Sequence, residues 1–238
     1  MVTPMLITDL PGHKWLNIPY DCGLFFSRNI AHQRTVFGPS LVAGVPAYLA
    51  KAAPTANDTF SPEMQAAMAI PDPVYLTLEN SRRFRALPLY AALLDQGREG
   101  FAHIIRRNIL FARRVAEWMT GKAGKGYYEV LNLRPPLVSN EPTSPNMPTT
   151  PLNIVFFRAS ESNPVPAYKG PNGGAALIEA INGTNRMQVT PGPAGGVRMA
   201  VSNWLTGLNS SKDESGTEKG DFDIVAETLL AVVEHPSE

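Results

Sequence analysis

Lys14 is the residue whose setting most suggests chemistry. It stands in residues 12–28, GHKWLNIPYDCGLFFSR, between His13 and Trp15 and ahead of an apolar run. An amine set beside aromatic faces is partly shielded from water, which suits it to imine chemistry with a carbonyl compound. Taken alone, H-K-W also fits a solvated lysine packed on a neighbouring ring. Other candidates carry less. Residues 121–126 (GKAGKG) lack the G-K-[ST] ending of a phosphate loop, because Tyr127 follows Gly126. Residues 192–196 (GPAGG) read as a turn. His13, His32, His103 and His235 are too scattered for a metal site. A lone cysteine, Cys22, excludes an intrachain disulfide framework and a multi-cysteine zinc site. The stretch from Arg82 to Arg114 carries eight arginines against Asp95 and Glu99. A solvated helix face or dimer contacts is the expectation there, with an acidic partner as the alternative.

The elements that must position these groups follow from periodicity. Residues 22–27 (CGLFFS) read as a short buried strand, and no complete element is expected in the first dozen residues. Residues 36–73 are loop-rich, broken by Pro39, Pro46, Pro54, Pro62, Pro71 and Pro73. An apolar stripe between Arg82 and Gln96 predicts a helix that Pro88 starts or kinks, punctuated by Gly97 and Gly100. Phe101, Ile104, Ile105, Phe111, Val115, Trp118 and Met119 recur at three- and four-residue steps and predict the clearest helix, with Gly121 as its stop. Residues 127–133 and 153–158 read as strands separated by a proline-laden loop. A short helix is expected over 175–181, a strand over 197–202 and a surface loop over 209–220. Asp221 is placed as the cap of a last helix bearing Phe222, Val225, Leu229 and Val232. The sum is a loop-rich start, two helices and an α+β unit.

Composition narrows the function classes. Lys plus Arg total 21 and Asp plus Glu total 21 in 238 residues, a balance that argues against a dedicated nucleic-acid binder. A hydrophobic share of 44% is enough to bury a core and too high for a disordered chain. No apolar run approaches the ~18 residues of a membrane span, and the start lacks the basic-then-apolar order of a secretory signal. The expectation is a cytoplasmic protein with neither a membrane nor a nucleic-acid partner.

In full, residues 12–28 resemble the cofactor-lysine signature of the group II pyridoxal-phosphate (PLP)-dependent amino acid decarboxylases, the family of glutamate and aromatic-L-amino-acid decarboxylases. The family pattern is close to HKWLNVPYDCG, and this chain departs from it mainly at Ile18, where the family has valine. Residues 80–88 (NSRRFRALP) and 197–204 (VRMAVSNW) resemble two later segments of the same family in the same order. The resemblance implies an α/β, aspartate-aminotransferase-like PLP-dependent transferase fold (fold type I). It covers the C-terminal half only: the end of a large domain (1–75), connecting helices (76–120) and a small α+β domain (121–238).

The resemblance also implies roles. Lys14 would hold PLP covalently, His13 would lie beside its phosphate, and Ser81 would present donors to that phosphate. Tyr48, in PAYL, matches a mobile-loop tyrosine: loss of carbon dioxide leaves a carbanion, and a phenol on a closing loop can protonate it. Arg198 would meet the substrate carboxylate with its guanidinium fork. The implied reaction converts an L-amino acid into an amine and carbon dioxide, in a homodimer or a dimer with a full-length homologue. Another PLP-dependent lyase is a rival within the same class.

Two departures set expectations. Pro11 stands where the family usually has a small polar residue. The family's ring-nitrogen aspartate and its ring-stacking histidine precede the lysine and have no counterpart in these 238 residues, so stand-alone activity is not expected. A non-catalytic truncated paralogue that binds a full-length decarboxylase subunit is the alternative from a different class.

Overall fold

Two four-residue runs, Thr8–Pro11 (β1) and Gly23–Phe26 (β2), pair antiparallel with Thr8 opposite Phe26 and Pro11 opposite Gly23. They belong to a computed structural model that describes residues 8–26, 35–37, 61–63, 83–134, 148–208, 210–212 and 218–236. The chain divides into two units, Met1–His13 with Ile18–Tyr90, and Lys14–Asn17 with Ala91–Glu238. β1 corrects the expectation of no element in the first dozen residues. A four-residue strand ending in proline shows no alternation to read, and proline is tolerated at a strand end because it has no N–H to donate. β2 corrects a second expectation. It is a strand, but not a buried one: Leu24 is half-buried and Phe26 is 53% exposed.

Helix α1 runs over Ala86–Thr120, its residues up to Tyr90 in the first unit and the rest in the second. Pro88 lies in its first turn, where an amide has no intrahelical acceptor to lose. The two expected helices meet within this run at Gly97, whose backbone is not helical (φ 57, ψ −171) and joins them across a kink. That left-handed φ carries no steric cost only in glycine.

In the second unit Tyr128–Val130 (β3), Ile154–Ala159 (β4), Thr190–Pro191 (β5) and Val197–Ala200 (β6) form one antiparallel sheet in the order β3-β4-β6-β5. Helix α2 spans Gly173–Gly183 and helix α3 spans Asp221–Glu234. Period-two alternation puts Tyr128, Val130, Val155, Phe157, Val197 and Met199 on one sheet face. There they form a single core with Ala112, Val115, Ala116 and Met119 of α1, Leu177 and Ile181 of α2, and Leu229, Val232 and Val233 of α3. Each large apolar side chain buried this way contributes roughly 1.5–3 kcal/mol. Two tyrosines tie α3 to this core: the Tyr128 hydroxyl donates to the Leu229 carbonyl at 2.6 Å and the Tyr168 hydroxyl to the Val232 carbonyl at 2.9 Å. Burial pushes both phenols above the ordinary tyrosine range.

The turn expected over 192–196 joins β5 to β6, with Gly192 N–H on the Gly196 carbonyl at 2.7 Å. The expected surface loop over 209–220 instead carries two short paired strands, Ser210–Lys212 (β7) and Glu218–Gly220 (β8). Asp221 is the first residue of α3 rather than its cap. Gly220 is the cap, its N–H held by Asp223 Oδ2 at 3.0 Å, while the Asp221 carboxylate takes the Gly207 N–H at 2.6 Å.

Candidate active site

The residues around Lys14 form a loop built on a glycine. Gly12 N–H donates to the Cys22 carbonyl at 2.9 Å, and its own carbonyl receives Ile18 N–H at 3.3 Å. Ile18 is buried over it, and a Cβ at position 12 would come within 2.5 Å of Ile18 Cδ1. His13 is half-buried and stacks on Tyr20, ring centroids 3.9 Å apart and planes 16° apart. Lys14 is exposed, and among the described residues it has no ion-pair partner.

Asn17 closes the turn that carries Lys14. Its backbone is left-handed (φ 50), a conformation that asparagine tolerates better than most residues. Its N–H and its side-chain Nδ2 both donate to the Lys14 carbonyl at 3.2 Å. Its Oδ1 accepts the Trp204 backbone N–H at 2.9 Å. The Trp204 carbonyl is in turn held by Arg107 Nη2, and Arg107 Nε donates to the Thr206 carbonyl at 2.9 Å. A continuous chain of hydrogen bonds thus runs from the Lys14 carbonyl through one amide side chain to the turn after β6 and on to α1.

Asp21 is a second left-handed residue of the loop (φ 82) and also uses its side chain as a tether. Its Oδ1 accepts Arg85 Nε at 2.9 Å, and Arg83 stands 3.9 Å from its other oxygen. Of the segments singled out from the sequence, 80–88 bonds to Asp21 within the first unit, and 197–204 bonds to Asn17 within the second.

Arg198 is half-buried on the sheet face turned away from the core, opposite Phe156 on one side and Thr190 on the other. It has no ion-pair partner among the described residues, whereas Arg158 on the same face is paired with Glu129 at 2.7 Å. Tyr48 and Ser81 lie outside the described residues. No group of three or more His, Cys, Asp or Glu able to hold a metal occurs among the described residues, and no helix there is long and apolar enough to cross a membrane.

Asn17 and Asp21 are not among the candidate residues named from the sequence. Their signal was present: an Asx residue two before Pro19 and another just before Cys22-Gly23 are places where the chain turns left-handed. Taken residue by residue, Lys14 offers a primary amine suited to an aldehyde, His13 an imidazole suited to a phosphate and Arg198 a guanidinium suited to a carboxylate, Lys14 and Arg198 having no ion-pair partner among the described residues. In that respect the described residues fit a phosphorylated aldehyde cofactor and an amino acid.

No protein-family profile matches the chain, and no curated protein is significantly similar in sequence. Solved structures are similar. Oryza sativa TDC with PLP and tryptamine superposes with a TM-score of 0.60 at 17% identity, over 94% of this chain and 39% of that one. Catharanthus roseus tryptophan decarboxylase in complex with L-tryptophan gives a TM-score of 0.56 at 17% identity, over 95% of this chain and 36% of that one. The chain thus spans well under half the length of the proteins it matches. At this identity the likeness speaks for the fold: over a segment of their length, the chain shares the architecture of fold type I, PLP-dependent decarboxylases.

Proposed function

We propose that this chain is the lysine-bearing part of a PLP-dependent L-amino acid decarboxylase, releasing an amine and carbon dioxide. The observation that carries the proposal is Lys14: an exposed amine with no counter-ion among the described residues, on a turn tied by Asn17 to the exit of the strand that bears Arg198. Lys14 holds the cofactor through its ε-amine, while His13 and Ser81 serve its phosphate. When bound, PLP supplies an electron-poor ring able to take up the electron pair left when the bond from Cα to the carboxylate breaks. Arg198 orients that carboxylate as a bidentate partner before cleavage. Once the carboxylate has left as carbon dioxide, the Tyr48 phenol would give Cα the proton that takes its place and would regain a proton from solvent. The active assembly is a homodimer or a dimer with a full-length homologue. L-tryptophan and tryptamine in the similar structures make aromatic amino acids the first substrate class to test.

The test supplies carboxyl-labelled L-tryptophan, L-tyrosine, L-glutamate and L-ornithine to the chain, alone and with a full-length decarboxylase subunit, and measures labelled carbon dioxide and amine. Release that depends on Lys14 and disappears in Lys14→Ala supports the proposal. If wild type and Lys14→Ala alter the activity of the full-length subunit equally, the chain is a non-catalytic binding partner instead.

A further inference from the structure

We propose that Asn17 is the positioning residue of Lys14, and that it reads the placement of the turn over 204–208 through the Trp204 peptide. The inference rests on the cofactor role proposed for Lys14 and extends it to a residue that touches neither cofactor nor substrate. Three observations support it. The Asn17 amide spends both of its ends: Nδ2 on the Lys14 carbonyl at 3.2 Å and Oδ1 on the Trp204 N–H at 2.9 Å. Its left-handed backbone lets its own N–H reach the same Lys14 carbonyl. The far end of the chain is fixed, because Arg107 of α1 grips the carbonyls of Trp204 and Thr206, and Gly207 N–H is bonded to Asp221 at the start of α3. A lysine that must present its nitrogen to one carbonyl carbon needs its main chain held, since the four-carbon stem provides reach and no rigidity. Here the hold is an amide whose two ends connect the lysine turn to a turn clamped by two helices.

Two substitutions separate the parts of this tether. Asn17→Gly removes the side chain while accepting the left-handed backbone. Asn17→Asp keeps an acceptor for Trp204 and loses the side-chain donor to Lys14, the backbone N–H of residue 17 staying on that carbonyl. The full chain is incubated with PLP, reduced with borohydride, and the rate of modification at Lys14 is mapped relative to the exposed Lys122 in the same sample. Backbone hydrogen exchange at Trp204 is followed in parallel. In the unaltered chain Lys14 is modified ahead of Lys122. In Asn17→Gly that preference falls by about tenfold and Trp204 exchanges about tenfold faster. In Asn17→Asp the Trp204 amide stays protected while the Lys14 preference still falls, which a general loosening of the fold would not produce. A Lys14 preference equal to wild type in both variants overturns the positioning role and leaves the cofactor role standing. Absence of any Lys14 preference in the unaltered chain removes the cofactor role, and this inference with it.

Discussion

Arg198 stands directly across from Phe156 in the register of β4 and β6, on the face of the sheet that the core does not use. A half-buried guanidinium with no carboxylate beside it among the described residues contributes little to folding, and its chemistry is free for a ligand. Arg198→Ala is therefore expected to change unfolding free energy by less than about 0.5 kcal/mol. In the decarboxylase assembly proposed above, it is expected to raise KM for the amino acid by about tenfold or more, with Arg198→Lys intermediate. Urea unfolding and steady-state kinetics on the same samples check this. A large loss of stability with KM unchanged would make Arg198 structural.

The start of α2 packs with no room to spare. A Cβ on Gly174 would lie 1.9 Å from the Gly195 carbonyl oxygen, a main-chain atom that cannot rotate away. Gly174→Ala is expected to destabilise the second unit by about 2 kcal/mol or more. At Gly183, the last residue of the same helix, a Cβ meets nothing within 4 Å. Gly183→Ala is expected to be neutral or to stabilise by up to about 1 kcal/mol, by narrowing the unfolded ensemble. The urea midpoint is predicted to fall for Gly174→Ala and to stay or rise for Gly183→Ala.

Tyr128 links alkaline pH to stability. Burial holds its phenol above the ordinary range, so in the folded state it keeps a proton that the unfolded chain releases near pH ~10. Its contribution is fully present below that pH. It is lost as pH rises above it, because the unfolded state then binds fewer protons than the folded one. Tyr128→Phe costs about 1 kcal/mol at neutral pH through loss of the hydrogen bond to the Leu229 carbonyl, which keeps its partner within α3. Above pH ~10 the variant is predicted to lose less stability per pH unit than wild type. Thermal unfolding across that window provides the comparison.

Glu227 acts on the acid side. Lys219 Nζ at 2.6 Å and Arg186 Nη2 at 2.9 Å hold its carboxyl below the ordinary range. Its stabilisation is present above the unfolded carboxyl pKa of ~4.3 and is lost as pH falls through the lowered folded value. The site is more than one-third exposed, so solvent screening limits the effect to at most about 0.5–1 kcal/mol. Glu227→Gln is expected to lower stability by up to that amount above pH ~6 and to flatten the acid limb of the urea-stability profile below it.

Elements whose side chains pack one face against the core were legible in the sequence. The stripe from Phe101 to Met119 lies within α1, and the alternation around Val155 and Phe157 and around Val197 and Met199 lies within β4 and β6. β1 was missed because four residues ending in Pro11 form no pattern. The β7–β8 pair was missed because a polar hairpin has no apolar face to declare it. The site divides along the same line. Lys14 and Arg198 were legible as residue types in recognisable runs. Asn17 and Asp21 were not, because their roles depend on a left-handed backbone that aims a side chain at a main-chain or guanidinium partner far away in sequence. Such an aim has no periodic signature.

The most direct measurement is the absorbance of the chain with PLP, alone and with a full-length decarboxylase subunit, followed by borohydride reduction and peptide mapping. A lysine-bound PLP band that is absent in Lys14→Ala is expected, with a reduced adduct on the peptide that carries Lys14. An adduct confined to other lysines, or no adduct on that peptide under either condition, would contradict the cofactor role of Lys14.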